Sequence, residues 1–373
     1  MKIGIAAAFK VQNPSAWSGT PFSLYTAFAK LCEKTGDELV TFSARLPQTV
    51  WNEQVRRRIG QRARGQAWRN KYTSKAVRAW VRQEKPDFLL QFGGFDVAAT
   101  GVPAFIYADM NYGMSRAYIR EYPLLAAVVY PDWEDKQLAK AQRAVQPVLE
   151  NAAGIFTMSD WCRRGFIDIG IPPERLHTVY AAPNWHGAEP QGIVPKDHKA
   201  GDAIRILFVG SPFLNKGGQT LIEGAMLLLS AGHSVSVHIA CKDTPEEVKA
   251  LPFVTDHGFC GKAQLKALYQ AADVFVMPTY FDCFPIVVLE AMSMAVPVIA
   301  RDVCSLRETV HPGKNGALLR TDGSPQELAS LILQVTDPAV YTDYSANAVE
   351  SAETYSWDRI AETMLNTMRE TGG

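Results

Sequence analysis

Short apolar runs alternate with helix-spaced apolar positions along most of the chain. Ile3–Phe9, Glu38–Phe42, Phe88–Phe92, Pro103–Ala108, Gly154–Met158 and Leu176–Tyr180 read as strands. Helical segments lie between them, including Phe22–Glu33 and the long Glu134–Asn151. Pro183–Gly201, rich in Pro, Gly and polar residues, interrupts the pattern and reads as a linker. A second rhythm follows, with strands Ile204–Val209, Ser234–Ala240, Val274–Pro278 and Val296–Ala300. Its helices are Gln219–Ser230, Lys262–Ala271, Val287–Met294 and Pro325–Val335, and Trp357–Arg369 reads as a closing amphipathic helix. This β-α-β alternation predicts α/β architecture with two Rossmann-like, doubly wound parallel-sheet domains facing a cleft. The expected division is residues 1–185, a linker over 186–201 and residues 202–355.

Length supports the division, because a single core stops growing near ~250–300 residues and the chain has 373. The 47% hydrophobic and 20% charged content is that of a soluble globular protein. A formal net charge of zero argues against a nucleic-acid partner. Six cysteines without a CxxC pair read as reduced thiols, hence a cytoplasmic protein. The first strand begins at Lys2, leaving no room for a signal h-region, and no apolar run approaches ~18 residues. One stretch departs from neutrality. Residues 56–85 hold eleven Lys or Arg against Glu84, with Trp68, Tyr72, Val77 and Trp80 interleaved. Such a surface suits an anionic membrane face, and equally a solvated helix face or an acidic acceptor.

Chemistry concentrates around Tyr280–Met292, which reads as strand, loop, helix, strand with its neighbours. The loop and the first turn of the helix hold Asp282 and Glu290, with seven residues between them. Both then lie at the carboxyl end of a parallel strand, where open α/β sheets place their ligands. Gly210–Gly218 also joins a strand to a helix and supplies Gly210, Ser211 and Lys216 beside free helix N–H groups. In the first half, Ser15–Ser23 leads from a strand into a helix, and Gly19 lets the backbone approach a ligand closely. Tyr107–Tyr112 ends the fourth strand at the same rim.

Asp282-Cys-Phe-Pro285, Glu290-Ala-Met292 and Pro297-Val-Ile299 together resemble the signature of the retaining nucleotide-sugar glycosyltransferases of GT-B type, family 4. Ala272–Pro278, Ser305–Glu308 with Asn315-Gly316, Trp17–Pro21 and Met158–Trp161 add to it. The resemblance is densest over about residues 204–335. It implies a GT-B fold whose C-terminal half binds a nucleoside-diphosphate sugar and whose N-terminal half binds an unknown acceptor. The closing helix, 356–371, would then pack back on the first domain.

The same resemblance distributes roles. Glu290 would accept hydrogen bonds from the ribose hydroxyls; the plain alternative is a first-turn Glu complementing the helix dipole. Lys216 would bind the diphosphate, with Gly19, Gly210 and Ser211 beside it. Phe284, Pro285, Ile286 and Val287 would form a second helix start for the β-phosphate. Asp282 would hold the transferred sugar. Asp109 would replace a His that contacts the donor sugar in many relatives, which makes Asp282 and Asp109 the two catalytic candidates; a strand-end turn Asp is the plain alternative for Asp109. Thr20, Asn111 and Ser159 are acceptor or loop candidates, although Ser159 also reads as an N-cap. There are departures too: Ser211 stands where the family has Arg, Asp282 where it has Glu, and Pro285 and Ala295 where it has Gly. Arg301 and Arg307 are candidate substitutes for the missing Arg. No Asp-x-Asp lies on a suitable loop and the histidines are dispersed, so neither metal nor cofactor is expected. A nucleotide-sugar epimerase and a non-catalytic sugar-nucleotide-binding subunit are the competing readings.

Overall fold

The structure is a computed structural model that describes residues 1–43, 63–129, 134–186 and 190–372. The chain divides into two compact units. The first holds Met1–Pro123, Tyr130–His186 and Ser356–Gly373, and the second holds Leu124–Val129 and Gly187–Tyr355.

The first unit is built on β1 (Lys2–Ala7), β2 (Glu38–Ser43), β3 (Phe88–Phe92), β4 (Ala104–Ala108), β5 (Gly154–Thr157) and β6 (Leu176–Thr178). The order is β2-β1-β3-β4-β5-β6, with every pair parallel. β3 is buried at all five positions, as expected of a strand covered on both faces. Helix Trp357–Gly372 packs beside Thr20–Thr35 through the buried Ala361, Met364 and Met368. Lys30 pairs with Asp358, and Arg369 Nη2 reaches Asp37 Oδ2 at 2.7 Å.

Of the basic stretch 56–85, residues 56–62 and the side chains of 63–71, Trp68 included, lie outside the described residues. In the described part, Val77 and Val81 are buried in the first unit's core, and Trp80 stacks on Phe42 at 5.2 Å. These side chains therefore serve the fold rather than a lipid surface.

The second unit is built on β7 (Ile204–Val209), β8 (Val235–Ala240), β9 (Val254–Asp256), β10 (Val274–Met277), β11 (Val298–Arg301) and β12 (Gly316–Leu319). Its order is β12-β11-β10-β7-β8-β9, again all parallel. The fold class expected from the periodicity, two doubly wound parallel sheets, is what the chain adopts. β9 and β12 escape periodicity: Val-Thr-Asp is short and half exposed, and Gly-Ala-Leu-Leu begins on a turn residue. Helices Tyr112–Glu121 and Tyr341–Glu353 were likewise not anticipated. Asn315, in the loop flagged by resemblance, is fully buried. Its amide donates to the Thr309 carbonyl and the Ser351 hydroxyl, both at 3.0 Å, tying two helices to the edge of β12.

Residues 190–201 form no helix or strand, yet Lys196 is pinned into the second unit. Its Nζ donates to the carbonyls of Tyr269 at 2.8 Å and Ala272 at 2.7 Å, which close the end of helix Lys262–Ala271. Burial lowers the Lys196 pKa to about 8 despite the opposing pull of Asp273. A neutral amine keeps two N–H donors, so both bonds survive deprotonation. The folded state thus releases this proton before the unfolded chain does. Stability should rise with pH from about 8 to the ordinary lysine value, by about 1–3 kcal/mol. Urea unfolding at pH 7.5 and pH 10 should show that rise in the wild type relative to Lys196→Met; parallel profiles for the two proteins would contradict it.

Candidate functional site

Strand order locates the site before any side chain is considered. From β7 the chain proceeds to β8 and β9 on one side, then returns to β10 and continues to β11 and β12 on the other. The connections leaving β7 and β10 therefore diverge, opening a crevice at the carboxyl ends of these adjacent strands. Loop 210–217 leaves β7 and loop 278–285 leaves β10. They are laced together, because the Asn215 carbonyl accepts from Tyr280 N at 3.0 Å and from the Thr279 hydroxyl at 3.2 Å. Gly217, with φ of 80°, lies so close to Pro278 that a Cβ there would overlap the Pro278 carbonyl, its carbon only 2.6 Å away. Helix Gly218–Ser230 starts at this contact with no side-chain cap, and its first N–H, that of Gly218, donates to the Phe213 carbonyl of the loop at 2.9 Å.

At the crevice the Lys216 ammonium pairs with Asp282, each side chain being 19% exposed. The structure thus joins the residues read as phosphate and sugar ligands. Cys304 adjoins this pair; burial pushes its thiol far above the ordinary range, so it stays protonated. Glu290 is 1% exposed and pairs with Lys262. Its place in the helix differs from expectation. Pro285 caps helix Ile286–Met292, so Glu290 is the fifth residue and lies in the second turn. The first turn itself holds no acid, so Glu290 stands just beyond the position the dipole alternative assigns it. This helix spans seven residues, with Phe284, Pro285 and Ile286 buried and Val287 half-buried.

Ser211, standing where the family has Arg, uses its hydroxyl to accept from Lys242 N at 2.9 Å, and it lies 3.3 Å from Cys241 Sγ. Gly210 precedes it with φ of 149°. Both proposed substitute cations are engaged by protein partners. Arg301 is 2% exposed, and its guanidinium donates to the carbonyls of Pro278, Arg320, Thr321 and Gly323 at 2.9–3.3 Å. Arg307 forms a two-point pair with Asp302 at 2.9 and 2.5 Å. Sequence reasoning missed Lys262, together with Lys242 and Phe259. The last two follow β8 and β9, with Lys242 Nζ 4.6 Å above the ring of Phe259, which is 72% exposed. Their positions just after parallel strands were the available signal.

The remaining candidates belong to the first unit. Gly19 has φ of 88° and caps helix Thr20–Thr35; a Cβ there would meet His186 Nε2 at 2.7 Å. Thr20 is buried, and its hydroxyl accepts from Asn184 Nδ2 at 3.3 Å. Asp109 is half-buried just past β4, near Tyr107, whose hydroxyl donates to the Tyr180 carbonyl at 2.5 Å. Asn111 and Ser159 are N-caps: Asn111 accepts from Met114 N at 3.1 Å and Ser159 from Cys162 N at 2.9 Å. Their side-chain oxygens are engaged in starting helices. Asp109 and Asp282, both read as catalytic, lie in different units.

Among the described residues, no three His, Cys, Asp or Glu side chains are grouped to hold a metal ion, and no helix is long and apolar enough to cross a membrane.

Residues 203–337 match the model of the family described as glycosyl transferases group 1. The D-inositol 3-phosphate glycosyltransferase of Thermomonospora curvata is 29% identical over 185 residues, covering 44% of this chain and 42% of that protein. The chain spans about half the length, or less, of the curated relatives it matches. Solved structures match over nearly all of it. Sucrose-phosphate synthase from Thermosynechococcus elongatus superposes with a TM-score of 0.72 at 17% identity, covering 99% of each chain. An Anabaena protein solved with UDP-glucose does so at 0.63 and 15% identity, covering 99% of this chain and 100% of that one. At such identities these structures speak for the fold. The match to the glycosyl transferases group 1 family thus lies in residues 203–337, within the second unit.

Proposed function

We propose that the protein moves a sugar from a nucleoside-diphosphate sugar to an acceptor hydroxyl, with retained anomeric configuration and without a metal ion. The observation that carries this reading is the meeting of Lys216 and Asp282 at the switch between β7 and β10. A nucleotide sugar presents anionic phosphates beside a ring of hydroxyl donors. An ammonium and a carboxylate side by side match those two parts.

In this reading the donor exchanges partners with the protein. Lys216 leaves Asp282 for the diphosphate, and the positive end of helix Gly218–Ser230 shares its charge. Asp282 turns to the sugar hydroxyls, and Glu290 takes the ribose. As the bond from the anomeric carbon to the β-phosphate oxygen breaks, charge grows on the diphosphate where Lys216 stands. The acceptor oxygen bonds to the anomeric carbon on the face the phosphate leaves, and a phosphate oxygen takes its proton. No side chain is assigned as nucleophile. The Gly19 loop and Asp109 are proposed to serve the acceptor and the sugar. Six free cysteines support a cytoplasmic setting.

Thermal-shift measurements against UDP-, GDP-, ADP- and dTDP-sugars test the donor reading. At least one should raise the Tm of the wild type, because a ligand that binds only the folded state stabilises it. The Lys216→Ala/Glu290→Ala double variant should lose that shift. An equal shift in the double variant would remove the site from consideration.

A further inference from the structure

Lys262 occupies an unfavourable place for a lysine. It is the first residue of helix Lys262–Ala271, whose N-cap is Gly261 and whose first turn holds no acid. The positive end of the helix dipole disfavours an ammonium there. A residue that breaks a local rule needs a compensating interaction. Here the partner is Glu290, and the two form an ion pair. Their exposures are unequal: the Lys262 side chain is 30% exposed, whereas Glu290 is 1% exposed. A carboxylate so removed from water takes up a proton unless a positive charge stands beside it.

Protonation would matter if this carboxyl is to receive a ribose. The two vicinal hydroxyls of a ribose are both donors. An ionised carboxylate offers each of them an acceptor oxygen, whereas a protonated one turns one oxygen into a competing donor.

We propose that Lys262 is a positioning residue of the nucleotide site, holding Glu290 ionised so that it can accept from both ribose hydroxyls. The proposal rests on the ribose reading of Glu290. It adds a second ammonium to the donor site, on the connection that follows β9.

The groups around Glu290 are consistent with that assignment. Helix Lys262–Ala271 also brings Lys266 and Tyr269 to the Lys262 face, at one- and two-turn spacing. Tyr269 is buried, and burial first and the Glu290 charge second push its hydroxyl far up, so it is a neutral donor. Glu290 is the only titratable residue of Ile286–Met292. From β11, Arg301 is held by backbone carbonyls. On helix Tyr341–Glu353, Asp343, Glu350 and Glu353 are exposed to solvent. Lys216 and Asp282 pair with each other.

Calorimetry of the full chain with UDP, GDP and ADP tests the idea, using whichever of the three binds most tightly together with its 2′,3′-dideoxy form. Dividing the affinity of each variant by that of the wild type at the same pH removes the titration of the phosphate itself. For Lys262→Met the ratio should fall at least tenfold from pH 8.5 to pH 6. Lys262→Arg should keep it constant, and the dideoxy ligand should show no such fall. A ratio for Lys262→Met that does not change with pH overturns the positioning role, whatever its size. If the wild type binds the dideoxy ligand as tightly as the parent, or binds none of the three nucleotides, the ribose reading beneath it fails instead.

Discussion

Lys216→Ala is expected to lower kcat/KM for sugar transfer by roughly 100- to 1,000-fold, about 3–4 kcal/mol of transition-state stabilisation. The loss should fall mainly on kcat, because charge on the departing diphosphate is greatest when the anomeric bond is breaking. The variant also strands Asp282, whose carboxylate pairs with this ammonium at the rim. Asp282 would then repel the incoming phosphates, so KM should rise as well. Adding Asp282→Asn to Lys216→Ala should recover part of the KM effect and little of the kcat effect. Steady-state kinetics with the donor identified by thermal shift would show this. A Lys216→Ala enzyme within threefold of the wild type would end the assignment of Lys216 to the leaving group.

Gly217→Ala is expected to be the most damaging single methyl group in the second unit's site. The backbone at Gly217 is left-handed, with φ of 80°, and an added Cβ would overlap the carbonyl of Pro278. Both obstacles are main chain, which cannot rotate away as a side chain can. Strain at such a residue costs about 1–3 kcal/mol, and the overlap must also push the β7 and β10 loops apart. We expect a loss of about 3 kcal/mol or more, read as a Tm lower by roughly 6–12 °C. Parting the loops would also break the bonds from Tyr280 and Thr279 to the Asn215 carbonyl. Nucleotide affinity should fall in parallel, since Lys216 and Asp282 sit on these two loops. A Tm within 2 °C of wild type and unchanged nucleotide binding would show that the loops close without this contact.

Loops 210–217 and 278–285 illustrate what could be read in advance. Each follows a continuous apolar strand and precedes a helix, so Lys216 and Asp282 were legible as rim residues, and the switch in strand order brings them together. The cap Ser159 was legible for a related reason: a polar residue before a helical run satisfies N–H groups locally, whatever else surrounds it. The surroundings of Arg301 were not legible because they are tertiary. The residue ends β11, and only the folded unit gathers the carbonyls of Pro278, Arg320, Thr321 and Gly323 around its guanidinium. Lys262 was missed for the same reason, since a lysine opening a helix looks solvated until Glu290 is placed against it. Glu290 itself was found but put one residue too near the helix start, because the exact residue at which Pro285 starts the helix is a matter of backbone geometry.

On the proposed donor reading, the two acid–lysine pairs of the second unit set how a nucleotide arrives. Two ammonium groups and two carboxylates cancel, so the proposed donor site projects little field beyond a Debye length of about 8 Å at physiological ionic strength. Capture of the donor then owes little to long-range attraction. It depends on short-range exchange, in which an ammonium gives up a carboxylate as it gains a phosphate, and discrimination comes from what the incoming molecule offers in return. A simple polyanion offers charge to the lysines and nothing to the acids. A sugar nucleotide supplies both halves of the trade.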